Sequence, residues 1–397
     1  MEGEASSRSE RHAVVMKDTS WLAQFKNASN PWMARYMYGI IFLLSNLIAW
    51  ALRDYGDHDS LKGIHKWKVC AVKTHCFGTE GVLRVSLGCF LFFIVMLIST
   101  AGTSSSKDPR DLWHSGWWIP KILLWACLTM LTFLAPSSVI LSYGEVAHVG
   151  AGMFLIVQLI SMINFITWLN DWCRVEKNAE RCHINVMVTA TILYIISGVG
   201  IILMYIWYSS SILNIFFITC TLVLLQLMTS VSLHPKVNAG ILAPGLMGFY
   251  VVYLCWCAIR SEPALDSSKG VSSDWFTITS FVIALMAIVI ATFSTGIDSD
   301  CFQVRRESET GDGVPYNYAF FHFVFAAGGM YFAMLMIGWA GKHSSIKKWT
   351  MDVGWTSAWV RIVNEWFAVC VYLWMVLTPI ILEARPMTEH DEEHEQV

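Results

Sequence analysis

Charge is what this chain has least of. Lys, Arg, Asp and Glu make up 14% of its 397 residues, against the ~25% of an ordinary soluble domain. The 27 basic and 30 acidic side chains leave a net charge of −3. No basic stripe is present, which argues against nucleic-acid binding. Between Ile184 and Pro235 there is no Asp, Glu, Lys or Arg at all. Cysteine is absent before Cys70. A Gly-rich phosphate loop ending in Lys is missing, and no loop is long enough for a nucleotide or aspartyl-phosphorylation domain, so an ATP-driven pump is excluded. The spans also lack the spaced carboxylates that hold divalent metals for phosphatidyl transfer. Intrinsic enzymatic activity, a cofactor and a metal site are therefore not expected.

What remains is apolar. Hydrophobic residues reach 55% and aromatics 14%, with 19 Trp, 22 Phe and 19 Met, and the mean hydropathy is +0.50. A soluble chain could not hide so much apolar surface, so much of it must face lipid. Stretches near the ~20 residues of a membrane helix run roughly over 36–52, 85–102, 122–143, 146–170, 184–208, 211–233, 237–259, 275–297, 314–340 and 366–382. The fold class is an all-α polytopic membrane protein of about ten helices. Residues 1–35 form a cytosolic segment, 36–382 the transmembrane domain and 383–397 an acidic cytosolic tail. No cleavable signal is visible, and the basic flank with Arg8, Arg11, Lys17, Lys26 and Arg35 keeps the N-terminus in the cytosol. Ten spans return the C-terminus to the same side.

Most cysteines fall inside spans and read as small packing residues. Cys70 and Cys76 share the first loop, where an oxidising compartment permits a disulfide. The run His390-Asp391-Glu392-Glu393-His394 mimics a metal box, but a solvated tail offers nothing to fix its ligands.

Polar side chains at membrane depth carry the functional information, because each is costly. The fourth span offers Glu145, His148, Gln158, Ser161, Asn164 and Asp171. Helical projection sets Ser161, Asn164 and Asp171 on one face and Glu145 with His148 roughly opposite. Interhelical hydrogen bonding and a lipid-headgroup path both account for them. In the last span Arg361 and Glu365 are spaced to pair at i,i+4, either as a neutralised anchor or as a zwitterion-like lining. Arg84 and Lys121 lie near span ends and are expected to snorkel. Tyr318, His322 and Gly329 share one face, where His322 reads as a packing residue and Gly329 as a site of close backbone approach. The stretch from Ser232 to Gly248, with two prolines and three glycines, reads as a turn followed by a kinked helix start.

Several long blocks resemble the serine incorporator family across essentially the whole chain. They are Tyr316-Asn317-Tyr318-Ala319-Phe320-Phe321-His322-Phe323, Trp359-Val360-Arg361-Ile362 followed by Leu373-Trp374, Gly81-Val82-Leu83-Arg84-Val85-Ser86, and Tyr250-Val251-Val252-Tyr253-Leu254 leading to Ser261-Glu262-Pro263. The resemblance implies two bundles crossed by a long diagonal helix, here the fourth span. It implies a link to phosphatidylserine and sphingolipid metabolism, through ATP-independent phospholipid scrambling or as a scaffold for lipid-synthesising enzymes. A serine carrier ranks below both. The implied partners are membrane lipids, lipid-biosynthetic enzymes and further copies of the chain in a homo-oligomer. The implied location is the ER and Golgi membranes or the plasma membrane. One departure is visible: animal members begin with a Cys-rich segment that this chain lacks, and the loop 298–314 is short.

Overall fold

The computed structural model describes residues 31–55, 78–105, 108–174, 179–237, 240–263, six positions between 279 and 292, 314, 316–339 and 351–383. Ten helices are defined among them. They are α1 (Pro31–Tyr55), α2 (Thr79–Thr100), α3 (Pro109–Ser115), α4 (Trp118–Leu134), α5 (Ser137–Arg174), α6 (Ala179–Tyr208), α7 (Ile212–Ser232), α8 (Leu242–Arg260), α9 (Tyr318–Ile337) and α10 (Trp355–Glu383). Eight are long and apolar enough to cross a membrane, and the bent pair α3–α4 makes nine if it counts as one span. The fold is an all-α polytopic membrane protein. The expected span at 275–297 lies largely outside the described residues, but its six described positions are helical.

Two expectations need correction. The third span does not run from 122 to 143: α4 ends at Leu134, Ala135 is extended, and α5 starts at Ser137. Pro136 is the cause, since a proline disfavours helical backbone at the residue before it. It then serves the next helix, accepting from Val139 N at 3.0 Å through its carbonyl. The region after Ser232 is also simpler than a kinked helix. A turn leads to α8, and Pro244 sits in that helix's first turn, where a missing N–H costs nothing.

The chain divides into two units, one of residues 1–154 and 275–336, the other of 155–274 and 337–397. The boundary falls inside α5. In the first unit Tyr38, Phe42, Phe92, Phe93, Phe321 and Phe325 form a buried aromatic core. In the second, Leu159, Ile163, Met247, Val251 and Ala368 form one cluster, and Phe217, Ile218, Cys255 and Ile362 belong to another.

Polar groups inside these bundles are matched locally. Ser45, Thr100, Ser197, Thr221 and Ser232 each donate a hydroxyl to the carbonyl four residues back, at 2.7–2.9 Å. This keeps a hydroxyl satisfied where no water is at hand. Arg84 does more. It is 2% exposed, so it does not snorkel. Its guanidinium pairs with Glu80 at 2.5 Å and donates to Thr132 O at 2.6 Å and Ala135 O at 2.9 Å. Those carbonyls lie at the α4 C-terminus, where Thr132 O also accepts from Ala135 N at 3.3 Å and a cation is favoured by the helix dipole. Glu80 in turn accepts from Ser137 Oγ at 2.8 Å, so one ion pair ties the ends of α2, α4 and α5.

The helices α2 and α4 touch at Gly88, where an added Cβ would lie 2.6 Å from Thr129 Cα. Gly88→Ala is expected to push the two helices apart and to destabilise the fold by roughly 1–3 kcal/mol. Gly152→Ala, whose Cβ would meet nothing within 4 Å, should leave stability unchanged or raise it by up to ~1 kcal/mol. Thermal unfolding of both purified variants in one detergent checks the contrast.

Candidate functional site

The expected polar residues of α5 divide by burial. Glu145 is exposed, whereas His148 is half-buried with its Nδ1 2.8 Å from Gly144 O. Gln158, Ser161 and Asn164 are half-buried. Among the described residues Asn164 Nδ2 has no hydrogen-bond partner. The side chain of Asp171 lies outside the described residues, as do Cys70, Cys76 and the acidic tail.

The helix itself is unusual. Its 38 residues span ~57 Å at 1.5 Å per residue, about twice the ~30 Å hydrocarbon core. Either its ends leave the hydrocarbon or it tilts strongly, and in both cases its polar positions meet different depths of the bilayer.

In α10 the expected Arg361–Glu365 pair is not made. Arg361 bonds instead to Asp352, which precedes the helix with φ +58. Glu365 is fully buried and accepts a hydrogen bond from Thr221 Oγ1 of α7 at 2.8 Å. Its second carboxyl oxygen has no partner among the described residues. Spacing allowed the i,i+4 pair, but Asp352 meets the Nε and Nη2 edge of the guanidinium, and the Glu365 side chain faces the bundle core. It is therefore placed away from any lipid-facing groove.

The first unit holds a cluster that sequence reasoning dispersed. His322 is fully buried, and its Nε2 lies 3.1 Å from His114 Nδ1. The other ring nitrogen of His114 is 3.0 Å from the Tyr316 hydroxyl. Tyr318 stacks on the His114 ring at 3.8 Å and donates its hydroxyl to Asp111 Oδ1 at 2.5 Å. Burial raises the Tyr316 phenol well above its usual range, so its hydroxyl keeps its proton. Lys121 is also fully buried, contrary to the expected snorkelling. Its Nζ donates to His114 O at 2.8 Å and lies 4.3 Å from the Trp118 ring centroid.

Local folding sets this cluster. Asp108 caps α3 through Arg110 N at 3.0 Å, with Pro109 opening the helix. Trp117 then takes a left-handed conformation with φ 56, and the chain bends by 69° into α4. The bend turns the last carbonyls of α3 inward, and Lys121 and Tyr38 share the duty of bonding His114 O. His114 and Asp111 were missed because they sit in a short polar stretch that reads as a loop. Their three-residue spacing, which shares a helix face, was the available signal.

Gly329 and Gly328 differ in what surrounds them. A Cβ at Gly329 would make ordinary contact with Cys89 Sγ at 3.5 Å, while one at Gly328 would sit 2.8 Å from Thr292 Cγ2. The tighter side-chain contact is thus at Gly328, while the Gly329 carbonyl accepts from Ser86 Oγ of α2 at 3.1 Å.

Tyr318→Phe is expected to cost about 1.5–3 kcal/mol, because it removes a donor from a buried carboxylate. Adding Asp111→Asn should cost less than the sum of the two single changes. Chemical or thermal unfolding of the four species in detergent reads out this coupling.

Comparison with known proteins finds that the family model described as serine incorporator (Serinc) matches residues 14–311 and 298–385. A probable serine incorporator of Monosiga brevicollis is 25% identical over 90% of this chain and 92% of its own length. Serine incorporator 3 of Bos taurus is 23% identical over 90% of this chain and 93% of its own. A probable serine incorporator of Dictyostelium discoideum is 27% identical over 78% and 82%.

Proposed function

Because the chain belongs to the serine incorporator family and is an integral membrane protein, we propose that it lets phospholipids, phosphatidylserine among them, cross the bilayer passively. Headgroups move along the polar face of α5 while the acyl tails stay in lipid. The observation that carries this reading is α5 itself: a helix of 38 residues with half-buried Gln158, Ser161 and Asn164 along it, and an Asn164 amide that finds no protein partner among the described residues. In hydrocarbon an unpaired amide N–H is costly; this one is enclosed by protein, so a phosphate or ester oxygen would satisfy it only as neighbouring side chains part around the passing headgroup. Binding that is strongest at the midpoint of the path is what lowers a barrier. No nucleotide is needed, because lipid moves down its own gradient. The buried Glu365 is not part of this path.

The proposed setting is the endomembrane system or the plasma membrane, with both termini in the cytosol and copies associated as a homo-oligomer. The competing reading is a scaffold that gathers serine- and lipid-using enzymes in one membrane. It makes α5's polar residues dispensable.

The test is lipid flip in nucleotide-free liposomes that hold the purified protein. Fluorescent phosphatidylserine and phosphatidylcholine are bleached from outside by an impermeant reductant. Bleaching beyond the outer leaflet is expected. Asn164→Leu should slow it roughly tenfold, equivalent to ~1.4 kcal/mol of barrier, and Glu365→Gln should leave the rate unchanged. If bleaching stops at the outer leaflet although the protein is folded and inserted, the scaffold reading takes its place.

A further inference from the structure

The second unit carries a cleft that neither α5 nor the buried polar cluster uses. It has a volume of about 340 Å³ and lies between α6 and α8, the size of a small-ligand site. One wall is Gly200, Leu203 and Trp207 of α6, and the other is Phe249, Tyr253 and Trp256 of α8. The helices run parallel here. Tyr194 packs on Gly245, and Gly200 lies close to Val252, where an added Cβ would be 3.3 Å from Cγ1. Because Gly200 has no side chain, the floor of the cleft stays open between larger neighbours.

Three features specify an occupant. The first is length: the wall from Ile196 to Trp207 extends ~17 Å at 1.5 Å per residue, close to one leaflet, which is half of a ~30 Å core. The second is depth. Both helices finish at the same end of the cleft, α6 at Tyr208 and α8 at Arg260. Trp207, Tyr253 and Trp256 are 65%, 46% and 37% exposed, as aromatic side chains are at the bilayer interface. The third is charge. Arg260 is exposed at this end, with its guanidinium 5.3 Å from the Trp256 ring centroid. Stacking on a ring leaves the planar donors free to bind an anionic oxygen pair. The neighbouring Glu262 has one carboxyl oxygen turned away from solvent.

We propose that this cleft is a docking site for one anionic phospholipid, with an acyl chain lying between α6 and α8 and its phosphate on Arg260. The site does not depend on scrambling, since a scaffold would hold the same lipid.

The test uses the full chain in vesicles of phosphatidylcholine and phosphatidylglycerol. A photoreactive diazirine is carried on an acyl chain of either lipid, and adducts are mapped by peptide mass spectrometry. Adducts should concentrate on the 196–207 and 249–256 peptides relative to the lipid-facing positions of α7, such as Ile215 and Val223. Leu203→Trp, which fills the cleft, should remove that enrichment. Trp207→Ala, which widens it, should keep the enrichment and shows that a rim substitution alone does not abolish it. Arg260→Gln should weaken labelling by the phosphatidylglycerol probe roughly fivefold, the worth of one interfacial cation, without affecting the phosphatidylcholine probe. Labelling no denser in the cleft than on α7 would overturn the proposal. So would cleft labelling by a photoreactive sterol that phosphatidylglycerol does not displace. An Arg260→Gln protein with unchanged lipid preference would overturn the headgroup assignment. Loss of flip with cleft labelling intact would count against scrambling alone.

Discussion

Where α3 and α4 end within the first unit, their last carbonyls lie beyond the regular helical ladder. Two buried cations meet them. Lys121 reaches back to His114 O, and Arg84 reaches across from α2 to Thr132 O and Ala135 O. Each would be costly in lipid by itself, and each is held because the carbonyls it meets would be costly too. The aromatic core packs around this arrangement: Tyr38 donates to the same His114 carbonyl while lying among Phe92, Phe93 and Phe321. The bend at Trp117 is thus stabilised from inside by polar contacts and from outside by rings.

Burial separates two kinds of polar residue that look alike in a hydropathy profile. Glu365, His322 and Thr221 are fully enclosed and bond to other side chains of their own unit, so they specify packing. The side chains at 158, 161 and 164 of α5 are half-buried, although the Asn164 amide nitrogen is itself enclosed. A headgroup path needs the second kind. The first kind explains why a membrane protein built largely from interchangeable apolar residues keeps one register, because a helix that slips strands a buried polar atom.

The span positions were legible in the sequence because hydropathy and charge depletion are local properties. The helix break at Ala135-Pro136 was not, since both sides are equally apolar and only the proline marks it. Arg84 and Lys121 were misread because depth from a span end suggests snorkelling, while the carbonyls that hold Arg84 lie in another helix and the one that holds Lys121 is brought within reach by the bend at Trp117. The Arg361–Glu365 spacing was compatible with a pair, yet the backbone turn at Asp352 supplies a better-placed carboxylate. The tighter side-chain packing at Gly328, next to Gly329, was not legible. In a helix that is 83% buried within its most apolar window, periodicity cannot tell one buried face from another. The cluster of His114 with His322 joins residues 208 apart, a pairing no local pattern encodes.

The contact between Arg84 and the end of α4 also bears on how the chain enters its membrane. Arg84 is synthesised well before the carbonyl of Thr132, 48 residues later. In that interval its native counter-charge among the described residues is Glu80, one turn away. Completion of α4 supplies the remaining acceptors. The end of α2 is thus completed by a neighbour made after it, and its buried charge gains its full set of partners only when the helices are together.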